Sequence, residues 1–199
     1  MTIFQVLDRV YRARVAFLVI AVAAAVAALS TATTPTDARY EYVPTIGQAV
    51  FVCCVAAASS AALLAVPRAE ALEVTAARPQ WMVRLFVAAA LYAVLAGIAA
   101  VVCVAADSSW YFGPLLRDMV VVAGVTFALS AVLPSRYVAV AAVAYVLACV
   151  FGSRGSQWWD LLLTPTSWQN RLAAATLGVL GAAVFALRGA RALPPDDEY

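Results

Sequence analysis

The sequence predicts an all-α polytopic membrane protein whose mass lies almost wholly inside the bilayer. Three observations predict it. Of 199 residues, 65% are hydrophobic and only 12% charged, whereas soluble domains average about 45–50% apolar and about 25% charged. The apolar residues fall in runs close to the about 20 residues that a helix needs to cross a bilayer. Arginines cluster on alternate connections between those runs. A soluble domain of this length buries only about 70% of its unfolded surface, too little to hide so much apolar side chain.

The runs define six spans in order. The first, 15–34, follows Arg9, Arg12 and Arg14. A cleaved signal segment has an apolar region of only about 7–15 residues, so a retained helix is expected. The second, 46–66, lies in a stretch without charge between Glu41 and Arg68. The third is 85–106. The fourth, 115–133, carries Arg117 and Asp118 near its start, where they reach the headgroup layer or pair with each other. Pro134 closes it. The fifth, 137–151, is short. The sixth, 171–187, precedes a tail over 188–199 that contains Arg188, Arg191 and the acidic run Asp196-Asp197-Glu198.

Arginine bias in short loops sets the orientation. With the N-terminus inside, Arg9, Arg12, Arg14, Arg68, Arg78, Arg84, Arg136, Arg188 and Arg191 are cytoplasmic. Arg39, Arg117, Arg154 and Arg171 are then external, so both termini are expected inside. Trp110, Tyr111, Trp158, Trp159 and Trp168 fall on the outer side, as an aromatic belt requires.

Two further segments are not simple loops. Residues 3–14 place Phe4, Leu7, Val10 and Tyr11 on one stripe between Asp8, Arg9 and Arg12, the pattern of an interfacial helix. Residues 153–170, with Trp158, Trp159 and Trp168 around Pro165, are too short and interrupted to span. They predict a re-entrant outer hairpin, which membrane depth tolerates only where protein or water surrounds it. Small residues at four-residue spacing mark candidate helix contacts. Ala89, Ala93 and Gly97 form one such stripe, and Ala174, Gly178 and Ala182 another.

Several chemistries are excluded. Histidine and lysine are absent and all thirteen cations are arginine, so His-dependent zinc sites, Ser-His pairs and a GxxxxGK[ST] phosphate loop cannot form. No metal site, cofactor or catalytic group is expected on the chain, and an enzyme is the least expected class. The net charge of +2 gives no reason to expect a nucleic-acid partner. Cys53, Cys54, Cys103 and Cys149 all lie in apolar runs and read as small apolar filler. No carboxylate is expected at membrane depth, which argues against ion-coupled transport.

The most specific local feature is the cytoplasmic link between the second and third spans. Pro67 suits the first position of a helix. Glu70 and Glu73 lie near its positive end and Arg78 near its negative end. Pro79 stops it. Residues 67–79 therefore predict a helix on the membrane surface, either a solvated connector or a docking element for a partner protein.

This link resembles the one after the second span of type-2 ABC transporter permeases, the membrane subunits of ATP-driven exporters. Bacterial members carry a run like Arg-x-x-Glu-Glu-Leu-Leu-x-Thr-x-Pro-Arg-Pro-x-Trp. Arg68, Glu70, Leu72, Thr75, Arg78, Pro79 and Trp81 fall in register with it. Ala71, Glu73 and Ala77 stand where the pattern has Glu, Leu and Pro. The order of an amphipathic N-terminal helix, six spans, a coupling helix and outer re-entrant helices is similar along most of the chain.

The resemblance implies a permease in a bacterial cytoplasmic membrane, paired with a second permease and with ABC ATPase subunits that carry ATP and magnesium. It makes Arg68, Glu70, Leu72, Glu73, Thr75 and Arg78 the ATPase-coupling helix. The apolar wall chemistry implies a hydrophobic or amphipathic cargo, with Tyr92, Thr126, Ser130 and Tyr145 as sparse hydrogen-bonding groups on the path. A stand-alone secondary transporter or channel, or a non-transport membrane scaffold, is the alternative.

Overall fold

The computed structural model describes residues 15–16, 18–23, 25, 44–65, 80–105, 107, 109–152 and 168–189. They fold into helices without a β-strand. Helix α1 is Pro44–Ala65, α2 is Gln80–Ala105, α3 is Phe112–Ser130, α4 is Ser135–Gly152 and α5 is Trp168–Arg188. A single 3-10 turn, Ser109–Tyr111, leads into α3. Residues 15, 16, 18–23 and 25 are also helical. Segments 3–14 and 67–79 and the tail from 190 lie outside the described residues.

Three helices, α2, α3 and α5, are long and apolar enough to cross a membrane. α1 and α4 are also apolar, over Val50–Ala65 and Tyr137–Cys149. The exposed surface is itself apolar: Phe86, Val101 and Val104 on α2, Val140 on α4 and Leu172, Val179 and Leu187 on α5 all face outward. Water would penalise such a surface, whereas lipid does not.

The helix ends follow local chemistry. α3 begins three residues before the expected 115, because Pro114 can sit in a first turn whose N–H groups lack intrahelical partners anyway. Its C-terminus is corrected from 133 to Ser130: Ala131 caps the helix through the carbonyls of Ala128 and Leu129. Pro134 opens α4 instead of closing α3, its carbonyl accepting from the Tyr137 N–H at 2.9 Å. α5 starts at Trp168, so Trp168, Gln169 and Asn170 form its first turn and do not belong to the expected hairpin. α5 ends at Gly189, whose φ of 70° is the left-handed conformation that glycine takes without a Cβ penalty. The Gly189 N–H closes the turn on the Phe185 carbonyl at 2.8 Å.

α3 is the central helix and packs against α1, α2, α4 and α5. Its contact with α5 is the closest in the bundle. A Cβ on Gly124 would lie 2.7 Å from the Leu177 carbonyl oxygen and 2.8 Å from the Gly178 Cα. A Cβ on Gly181 would strike the Gly124 carbonyl. Backbone meets backbone there because neither helix carries a side chain at the crossing. One turn on, Phe127 stacks on Phe185 with centroids 4.8 Å apart. The Ala174, Gly178 and Ala182 stripe is buried, as its spacing predicts. The Ala89, Ala93 and Gly97 stripe is exposed, and nothing lies within 4 Å of a Cβ built on Gly97.

The contact pairs also give helix directions. Val120, Gly124 and Phe127 meet Gly178, Gly181 and Phe185 in rising order, so α3 and α5 run parallel. Tyr92 meets Gly178 and Arg84 meets Gly189, so α2 runs antiparallel to both. Cys54 lies within electrostatic reach of both Asp118, near the start of α3, and Cys149, near the end of α4. α4 therefore runs antiparallel to α3. Gly152 and Trp168 stand at one end of the bundle, and Gln80, Ser130 and Gly189 at the other.

Gly181→Ala is expected to destabilise the bundle by about 1–3 kcal/mol through overpacking. Gly97→Ala is expected to be neutral or to stabilise α2 by about 0.5–1 kcal/mol. Thermal unfolding of both variants in one detergent checks this, and equal midpoints would contradict the close α3–α5 crossing.

Candidate functional site

Among the described residues the buried polar side chains are Arg117, Asp118, Thr126 and Ser130 on α3 and Ser60 on α1. Arg117 and Asp118 are consecutive, yet both are buried, at 6% and 1% exposure. The Arg117 Nε–H donates to Asp118 Oδ1 at 2.8 Å, and Nη2 reaches the same oxygen at 2.6 Å. Neighbours on a helix point about 100° apart, so both can be buried only where the helix is covered on several sides. α1, which packs on α3, brings Cys54 within electrostatic reach of the pair. Asp118 lies six residues beyond Phe112, or about 9 Å along the axis at about 1.5 Å per residue. Of the two expected arrangements, the mutual pairing is the one observed: Arg117 and Asp118 form an ion pair buried inside the helical bundle.

The burial of the pair was not expected. Starting the span at 115 places the dipeptide in the first turn, whereas the helix extends through Phe112, Gly113 and Pro114 and sets it one turn further in.

The four hydroxyls expected on a path occupy different surroundings. Tyr92 is half-buried, and its OH donates to the Gly178 carbonyl at 2.8 Å, tying α2 to α5. Its ring stands edge-on to Phe127, with centroids 6.2 Å apart. Thr126 is fully buried and donates to the Val122 carbonyl at 2.7 Å. Ser130, also fully buried, donates to the Phe127 carbonyl at 2.7 Å. Both α3 hydroxyls thus return to their own helix backbone, the usual way such groups are satisfied in lipid. Tyr145 is half-buried on α4 and packs against the core. Tyr92, Thr126 and Ser130 belong to the α3 neighbourhood, while Tyr145 lies on a different helix.

Trp168 is exposed at the start of α5, where an interfacial tryptophan belongs. Arg68, Glu70, Leu72, Glu73, Thr75 and Arg78 lie outside the described residues, as do Trp158, Trp159 and Pro165. The link is bracketed by α1, ending at Ala65, and α2, beginning at Gln80. Four residues into α2, the Arg84 guanidinium packs on Gly189 just beyond α5, within 2.7 Å of where a Cβ would be. It also donates to Gln80 Oε1 at 3.3 Å. A cation at the C-terminal end of α5 opposes the negative end of its dipole.

Among the described residues no group of three or more His, Cys, Asp or Glu side chains is placed to hold a metal ion. No protein-family model matches the chain, no curated protein matches it in sequence, and no solved structure matches it in fold.

Asp118→Leu alone leaves a buried arginine uncompensated, and a loss of about 3–5 kcal/mol is expected. Replacing the pair together, Arg117→Met with Asp118→Leu, is expected to recover most of that stability. Thermal melts of the single and double variants in detergent check the pairing. A double variant no more stable than the single would show that the two charges do not offset each other.

Proposed function

We propose that this chain is the permease subunit of an ATP-driven exporter, forming a membrane path for a hydrophobic or amphipathic substrate. The observation that carries the reading is the register of Arg68, Glu70, Leu72, Thr75, Arg78, Pro79 and Trp81 with the coupling link of type-2 ABC permeases. The link falls between two apolar helices that end at Ala65 and begin at Gln80. In this reading it docks on a partner ATPase, and Arg84 against Gly189 carries its displacement from α2 to the end of α5.

The helix directions support the accompanying topology of six spans with both termini inside. Gly152 and Trp168 share one end of the bundle, the placement that a non-crossing outer hairpin requires of its flanking helices. Arg84 and Arg188 stand at the opposite end, which positive-inside bias makes cytoplasmic. The first span would be the segment containing the helical residues at 15–25. Ser60 donates to the Ala16 carbonyl there at 3.4 Å. A second permease, identical or related, would complete the path, and the membrane would be the bacterial cytoplasmic one.

A second reading draws on one observation. A buried carboxylate is the usual mark of ion-coupled transport, and Asp118 is such a group. It is held by the adjacent arginine and lies near the Cys54 thiol, which suits a structural pair better than a mobile proton carrier. A stand-alone transporter would move cargo in vesicles containing this chain alone, driven by an ion gradient and indifferent to ATP.

Expressed with its genomic neighbours, the chain is expected to copurify with a soluble ATPase. Glu70→Arg with Leu72→Asp is expected to abolish cargo-stimulated ATP hydrolysis while leaving the complex assembled. Hydrolysis unchanged in that double variant would remove the coupling role, and no ATPase in the purified complex would overturn the permease reading.

A further inference from the structure

Where α2 ends, the chain reverses into the 3-10 turn and α3, leaving an open groove of about 470 Å³. It is lined by Ala100, Cys103, Val104, Asp107, Ser109 and Phe112. The volume falls within the range of about 300–1,000 Å³ typical of small-molecule sites. Its walls are mainly apolar, and the small side chain of Ala100 leaves the space along α2.

The polar end of the groove is negative for two independent reasons. Asp107 is exposed, at a φ of 48° that aspartate tolerates better than most residues. Its N–H bonds the Val104 carbonyl at 3.2 Å, which fixes the reversal at the C-terminus of α2. The negative end of the α2 dipole therefore coincides with the carboxylate. The described residues contain two carboxylates: Asp118 is engaged by Arg117, whereas Asp107 faces the open groove.

We propose that this groove binds a cationic amphiphile, with its ammonium on Asp107 and its hydrocarbon chain laid along Ala100, Val104 and Phe112. Charge complementarity selects the occupant: an anion would meet both the carboxylate and the helix C-terminus, and a neutral alkane would leave both unanswered. The groove opens at the end of the bundle that carries Trp168, where an amphiphile in the interfacial layer can enter sideways with its chain still in lipid. The inference goes beyond the permease reading and needs no ATPase.

The test uses the full chain in nanodiscs of phosphatidylcholine, with dodecylammonium carrying a dansyl group at its tail as the probe. Energy transfer from tryptophan reads binding. Saturable binding is expected, weakened about five-fold by Asp107→Asn, the scale of a partly exposed charge pair. Asp107→Glu is expected to restore it. Ala100→Trp, which fills the groove, is expected to abolish it, and dodecyl sulfate is expected not to compete.

Replacing phosphatidylcholine by phosphatidylethanolamine distinguishes a lipid headgroup from a free amphiphile. Competition by that lipid, lost in Asp107→Asn, assigns the ammonium site to the headgroup; saturable probe binding without such competition assigns it to a free amphiphile. Binding unchanged in both Asp107→Asn and Ala100→Trp overturns the proposal, as does equal competition by dodecyl sulfate. Because the assay contains no ATPase, its failure leaves the permease reading untouched, and failed ATPase copurification leaves the groove untouched.

Discussion

In lipid, apolar side chains gain little by leaving their surroundings, because the surroundings are apolar too. Helices then hold together by close contact and by satisfied polar groups. The backbone crossing of Gly124 with Gly178 and Gly181 answers that constraint, and the rest of the bundle depends on it. With no side chain between them, α3 and α5 approach closely enough for the Phe127–Phe185 stack and the Tyr92–Gly178 hydrogen bond. Tyr92 then brings in α2, and Arg84 fastens the same pair of helices at their other end. Each further contact needs the first to set the spacing.

The same constraint explains where polarity is allowed. Thr126 and Ser130 bond their own helix backbone, so they add no unsatisfied group to the interior. Arg117 and Asp118 offset each other within one helix, so each buried charge has an opposite charge beside it. Such a pair is weak support for stability, since its desolvation cost can match its attraction. Its value is positional: it is buried where α3 packs on α1 and disfavours any rotation of α3 that would turn one charge toward lipid.

The two small-residue stripes show the limits of spacing as a guide. Both have the same four-residue period on apolar helices. Ala174, Gly178 and Ala182 are buried because they face the central helix, whereas Ala89, Ala93 and Gly97 are exposed on the outer face of α2. Period alone identifies a surface that permits close approach. Which surface is used depends on which helix occupies the centre, and α3 takes that place through its contacts with all four others.

The sequence by itself determined that the protein is helical and apolar enough for a membrane, and where the helices of the described residues fall to within about a turn. Those properties are local, set by hydropathy over successive turns. It also exposed the link from Arg68 to Trp81 as a pattern, because a motif is a property of consecutive residues. Only the tertiary structure decided the depth of the Arg117–Asp118 pair, the burial of one stripe over the other, and the groove at Asp107. Each depends on what a distant segment places opposite, and burial is a relation between helices that no one helix encodes.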